Sequence, residues 1–363
     1  MSVTPSGKRW SGLVVFLTSN RGSYVKRCLP QLARACAAEA SLDVLVALDG
    51  SDLATRALCN EWRVPLLYSE KQEGVGLSKN RVLERFPCYD YYFFLEDDLE
   101  LLDGRVFARH VALMNAAGIH HMALFGPGEG RERVGEVVVL GERIVHYRYG
   151  SAEFNVFTRT GLERVGGWHP LFAEYRRWGH TEHSHRFPRN GLAPGAFNVA
   201  VGLADKCIRH RPTSVTARVD LPATDAAQIS LPERKLMEQE LSFFPVQTLA
   251  PYRCENLPPA QLPALAATLR RWNRYPLLRG SDWRQAQADY LVWRFETSRG
   301  LARRLSAILG AAAICPSNIS LRHAVKLRAL KAAHMLRVDH SSGATSPDTT
   351  MRDSIASTTP ERR

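Results

Sequence analysis

The sequence predicts an α/β fold, a mostly parallel sheet flanked by helices, followed by a C-terminal helical extension. Three observations predict it. Short apolar runs alternate with helical patterns through the first half of the chain. Each early run ends in a small polar or acidic cluster. The positive charge is also unevenly placed: residues 1–269 carry a net +2, whereas residues 270–340 carry +10 of the total +12.

The elements follow in order. Leu13–Thr18 (LVVFLT) reads as a buried strand. Tyr24–Ala40 places Leu29, Leu32, Ala33, Cys36 and Ala40 at helical spacing. Asp43–Leu48 is a second strand, stopped by Asp49-Gly50-Ser51. Leu53–Trp62 reads as a helix and Val64–Tyr68 as a third strand. Ser78–Phe86 is helical, with Ser78 as the expected N-cap. Tyr91–Leu95 (YYFFL) is a fourth strand, ending at Glu96-Asp97-Asp98. Val106–Ala117 reads as a helix and Met122–Phe125 as a strand. Glu136–Leu140 and Arg143–Tyr147 flank Gly141-Glu142, a hairpin signal. Phe154–Thr158 is a further strand and Gly161–Val165 a short helix.

Several classes are excluded. With 45% hydrophobic and 23% charged residues, the chain is neither wholly disordered nor fibrous. No apolar run reaches the about 18 residues of a membrane span. Met1–Gly12 lacks the apolar core of a secretory signal. Seven scattered cysteines without C-x-x-C fit reduced thiols and a cytoplasmic setting.

Ligands of parallel α/β sheets bind beyond the carboxyl ends of the strands, where the polar clusters sit. Glu96-Asp97-Asp98 places three carboxylates in a row, which repel one another unless a cation is near. A hard divalent ion, Mn²⁺ or Mg²⁺, suits such oxygen donors and bridges to phosphate; an acidic cap before the next helix is the competing reading. Asp49 can accept from a base or ribose, or simply close a turn. Thr18-Ser19-Asn20-Arg21 opens a helix, where anions are favoured. Gly74-Val75-Gly76-Leu77-Ser78-Lys79-Asn80-Arg81 is neither a P-loop nor a dinucleotide fingerprint.

The order VVFLTSNR, ALDGSD, EGVGLSKNR, YYFFLEDDLEL resembles the inverting nucleotide-sugar glycosyltransferases of the GT-A fold, a Rossmann-like nucleotide-binding architecture. It looks most like glycosyltransferase family 2, with E-D-D in place of D-x-D. FNVFTRTGLERVGGWHPLF (154–172) is similar to the acceptor-side segment of that family, and WGHTEHSHR (178–186) stands where members carry W-G-G-E-D. The resemblance covers about residues 12–215.

It implies a metal-dependent transfer of a sugar from a nucleoside-diphosphate sugar, a UDP-sugar in the commonest case, to a hydroxyl acceptor with inversion. Thr18, Asn20 and Arg21 would line the nucleotide, and Asp49 would face the base. Lys79 and Asn80 would approach the ribose or diphosphate. Glu96 and Asp97 would contact ribose and donor sugar, Asp98 would ligate the metal and His210 would complete its site. Glu182 would be the catalytic base, with Glu174 the alternative if the alignment slips, because Gly179-His180-Thr181-Glu182 departs from Gly-Glu-Asp. H-T-E-H-S-H lacks the H-E-x-x-H spacing of a zinc site.

The expected domains are a tail (1–11), the GT-A domain (12–244), a Pro-rich linker (245–263), a basic helical extension (264–340) and a disordered tail (341–363). Residues 294–338 mix apolar and basic residues, so they either cap the domain or touch the inner face of a membrane. No zinc-finger or RNP motif supports nucleic acid. The acceptor would be a glycan, a lipid-linked saccharide or a protein. The rival readings are a non-catalytic nucleotide-sugar or glycan-binding module and a sugar-nucleotide nucleotidyltransferase, although Thr18–Gly22 lacks the glycine-rich loop of the latter.

Overall fold

The computed structural model describes residues 10–124, 131–150, 153–170, 172, 178–210 and 241–257, together with 308, 309 and 312. Seven strands form the central sheet. They are β1 (Gly12–Thr18), β2 (Leu42–Asp49), β3 (Leu66–Ser69), β4 (Tyr91–Glu96), β6 (His121–Leu124), β9 (Phe154–Thr158) and β12 (Arg253–Glu255). Their order is β12-β3-β2-β1-β4-β9-β6. The centre, β3-β2-β1-β4, is parallel, while β12 and β9 run against their neighbours. The sheet is therefore mixed but mostly parallel, with helices on both faces.

The continuous apolar runs reflect burial on both faces. Along β1, Val14 and Phe16 enter one core and Leu13, Val15 and Leu17 the other; on β4, Phe93 and Leu95 part in the same way from Tyr92 and Phe94. Helix α1 (Gly22–Ala37) packs Val25, Cys28, Leu29, Leu32 and Cys36 on the first core, as does α4 (Val106–Ala117) with Phe107 and Val111. The second core takes Val82 and Leu83 of α3 (Val75–Arg85), Leu162 and Val165 of α5 (Arg159–Val165), and Phe187 of α6 (Gly179–Arg189). Helix α2 (Leu53–Glu61) is capped by Asp52, whose carboxylate accepts from the amides of Ala54 and Thr55.

Two smaller sheets complete the described architecture. β10 (Phe197–Val201), β8 (Glu142–Tyr149) and β7 (Arg131–Val139) form an antiparallel trio. β5 (Leu99–Leu101) pairs with β11 (Ile208–His210), reached through the short helix α7 (Leu203–Cys207).

Three boundaries differ from expectation. Helix α3 begins at Val75 behind Gly74, so Ser78 lies inside it; Gly74, at φ 91, takes the turn that a side chain would resist. The hairpin turn is Leu140-Gly141, both at positive φ, and Glu142 already pairs with Val139. Residues 253–255 form an edge strand of the main sheet, so this unit continues past residue 244, where the linker was expected. Apart from Ile308, Leu309 and Ala312, the expected extension and tail lie outside the described residues, as does Glu174. Among the described residues, no helix is long and apolar enough to cross a membrane. The six described cysteines are free thiols.

Candidate functional site

The strand order changes direction at β1: β2 and β3 lie on one side of it and β4 on the other. The carboxyl ends of β1 and β4 flank this switch point, where open α/β sheets bind ligands. Thr18 ends β1, and its hydroxyl donates to Asp97 across the gap at 2.8 Å. Arg21, at the start of α1, donates to the other oxygen of Asp97 at 2.7 Å. Burial pushes the Asp97 carboxyl up, against the pull of Arg21 and Thr18. Asn20, between them in sequence, is exposed and held left-handed at φ 51. Backbone strain of this kind in a non-glycine residue recurs where a site dictates the chain's direction.

Asp49, at the end of β2, is almost wholly occupied by the protein itself. Its carboxylate accepts from the amides of Glu73 (2.9 Å) and Gly74 (2.7 Å) and from Arg81 (3.3 Å), which also pairs with Glu73 at 2.7 Å. Asp49 thus fixes the loop that launches α3, a role that the sequence reading missed. Asn80 is a bracket of the same kind. Its amide donates to the carbonyls of Trp168 and Gln247, both at 2.9 Å, and its oxygen accepts from the Trp168 amide at 2.7 Å. It has no exposed surface and does not face the crevice as a ribose contact would.

One residue along, Lys79 belongs to the site through a different arrangement. Its Nζ lies 3.2 Å from Nδ1 of His180, and Nε2 of His180 lies 3.1 Å from Oε1 of Glu96. Phe94 and Trp168 present their ring faces to the ammonium at 5.4 and 5.2 Å. Burial lowers the Lys79 value to about 7, only partly opposed by Glu96. Burial and the charge of Lys79 lower His180 against the pull of Glu96. Burial would raise Glu96, but the His180 hydrogen bond and the charges of His180, Lys79 and Arg21 hold it below the usual carboxylate range. His180 was visible in the sequence as one of three crowded histidines, without a signal to choose it.

Glu182, expected as the base, is placed elsewhere. It is fully buried, and both of its oxygens accept from Arg186, one of them from Nε at 2.6 Å. Arg186 in turn donates to the carbonyls of Val165 and Gly167. A carboxylate so enclosed cannot reach an acceptor hydroxyl, so the base role does not fit this placement. The other histidines of the segment diverge. His183 stacks on Trp168 at 3.9 Å and meets the Gly166 carbonyl, while His185 lies beside Tyr149.

Asp98 sits in the turn between β4 and β5. His210 pairs in backbone register with Leu99, the residue that follows Asp98. The two expected metal ligands therefore occupy neighbouring positions in the fold. Among the described residues, no group of three or more His, Cys, Asp or Glu side chains gathers around one point. Asp98 is an oxygen donor of the kind that Mg²⁺ or Mn²⁺ uses beside substrate phosphates and water.

No family model matches this chain, and no curated protein matches it in sequence. Among solved structures, it is similar to the mannosyltransferase PcManGT of Pyrobaculum calidifontis, in complex with GDP-Man and Mn²⁺. The identity is 13%, the coverage 95% of this chain and 84% of the other, and the TM-score 0.39. TarS 1–349 of S. aureus with UDP-GlcNAc matches at 12% identity, over 87% of each chain, with a TM-score of 0.39. Glucosyl-3-phosphoglycerate synthase of Mycobacterium tuberculosis, with Mn²⁺, UDP and glucosyl-3-phosphoglycerate, matches at 15% identity. It covers 57% of this chain and 74% of its own, with a TM-score of 0.35. Likeness at such low identity and TM-score leaves the chemistry of the site to its own residues.

Proposed function

We propose that this protein is a GT-A-type glycosyltransferase of the family 2 kind. It would transfer a sugar, with inversion, from a nucleoside-diphosphate sugar to a hydroxyl of a glycan, lipid-linked saccharide or protein. The observation that carries the reading is the meeting of Thr18, Arg21, Asp97 and Glu96 across the β1–β4 switch point, with Asp98 next along the chain. Arg21 and Thr18 each engage one oxygen of Asp97 and fix its orientation, and the second lone pair of each oxygen would accept from a ribose or sugar hydroxyl. The partly exposed Glu96 supplies a second acceptor beside it. Asp98 and His210 would hold Mn²⁺ or Mg²⁺, which supplies positive charge to the departing diphosphate.

Inversion needs a base for the acceptor hydroxyl. With Glu182 committed to Arg186, the role passes in this proposal to Glu174, the second candidate from the sequence. The cytoplasmic setting and membrane contact through 294–338 belong to the same proposal. The test is a thermal-shift screen of nucleoside diphosphates and nucleotide-sugars with Mn²⁺, followed by donor hydrolysis and transfer assays. Stabilisation by a diphosphate together with sugar release supports the reading, and the absence of both overturns it. The burial of Glu182 favours one rival, a nucleotide-sugar-binding module without turnover, which would show affinity and no release.

A further inference from the structure

Lys79, His180 and Glu96 come from three different elements, α3, α6 and β4, yet form one continuous hydrogen-bonded chain. The ends of that chain fix its direction. An ammonium can only donate and a carboxylate can only accept. While Lys79 is an ammonium and Glu96 a carboxylate, the imidazole between them accepts at Nδ1 and donates from Nε2, a neutral ring in a single tautomer. Lys79 is itself immobilised, fully buried between the faces of Phe94 and Trp168. Exposure then rises along the chain, to 22% for the His180 side chain and 30% for that of Glu96. The chain runs from the core to the edge of the crevice.

A second observation points the same way. Trp178, just before α6, is held left-handed at φ 65 without glycine's freedom. Such a conformation is strained for a residue with a large side chain and recurs at functional sites. From that start, the first turn of α6 carries His180 toward β4, while Glu182 turns inward to Arg186.

We propose that His180 is a positioning residue: its neutral imidazole, clamped by Lys79, aims the Glu96 carboxylate at the donor sugar. The proposal rests on the reading of this crevice as a nucleotide-sugar site. His180 does not itself gain or lose a proton in the reaction; it fixes one carboxylate through two hydrogen bonds.

Two variants and one spectrum test it. His180→Gln keeps an acceptor and a donor at similar reach, whereas His180→Phe keeps the ring and neither bond. Losing a hydrogen bond to a charged group is worth about tenfold or more in rate. His180→Phe should lower kcat for nucleotide-sugar turnover by at least about that factor, and His180→Gln should recover most of it. In this proposal Glu96 meets the donor sugar and leaves the ribose to Asp97, so affinity for the nucleoside diphosphate, which has ribose but no donor sugar, should stay unchanged in both variants. If His180→Gln is as impaired as His180→Phe, the ring works by moving protons and the proposal falls. It also falls if diphosphate affinity drops in step with kcat.

The spectrum is the imidazole ¹⁵N pattern of the wild-type chain, with His180 assigned by its loss in His180→Gln. On the acid side of the Lys79 value of about 7, it should show a neutral ring with hydrogen on Nε2. Hydrogen on Nδ1 alone, or on both nitrogens, overturns the clamp even in an active enzyme. A wild-type chain that shows the expected tautomer but turns over no nucleotide-sugar overturns the glycosyltransferase reading instead, and with it the donor sugar as the target of Glu96.

Discussion

Glu182 and Arg186 face each other one helical turn apart, and neither side chain has any exposed surface. Removing one partner of such a pair strands the other charge in the core, at a cost of about 3–5 kcal/mol. Glu182→Gln should lower unfolding stability by about that much, read from the urea midpoint. Unchanged stability with lost turnover would restore the base role to Glu182.

The metal assignment is tested separately. Asp98→Asn, an isosteric change in the β4–β5 turn, should abolish Mn²⁺-dependent donor turnover while the protein still unfolds cooperatively. Normal turnover in that variant would remove Asp98 from the site.

Gly166 adopts φ 75, and a Cβ placed there would overlap the Phe244 carbonyl oxygen. At this point the 241–257 segment is tied to the end of α5: Phe244 donates to the Val165 carbonyl, and Gly167 donates to that of Phe244. Gly166→Ala should therefore destabilise the protein by more than the about 1 kcal/mol of an ordinary glycine substitution. Thermal unfolding beside Gly191→Ala provides the control, since a Cβ at Gly191, also at positive φ, would meet nothing within 4 Å.

Acid should loosen the fold through its buried histidines. Burial lowers His110, His121 and His185 from 6.5 to about 4. Between those values the unfolded chain binds protons that the folded chain refuses, so stability is present above pH 6.5 and is lost as pH falls toward 4. Each such group contributes a slope of about 1.4 kcal/mol per pH unit. Urea midpoints across that interval should fall, and His110→Gln should reduce the slope. A flat profile would show that these rings stay accessible in the folded state.

Much of the scaffold was legible in the residues. Buried strands of a parallel sheet must be apolar on both faces, so LVVFLT, DVLVAL and YYFFL announced themselves, and α1 and α4 followed from helical spacing. Short elements such as β5, β11 and β12 did not, because three residues carry no period and exist only through their partners. The start of α3 was missed for a related reason: Gly74 caps it by its backbone and offers no capping side chain to read.

The site divides along the same line. Sequence determined which strand ends carry acids and bases, since connectivity alone puts Thr18, Asp49 and Glu96–Asp98 on one edge of a parallel sheet. Only the tertiary structure decided which of those groups remain free to meet a ligand. Asp49, Asn80 and Glu182 are polar residues at expected positions, yet their hydrogen-bonding capacity is spent on Gly74, Trp168 and Arg186. Lys79, Glu96 and His180, from distant parts of the chain, are joined instead. A hydrogen bond depends on distance and direction across the fold, and neither is written in the spacing of residues along the chain.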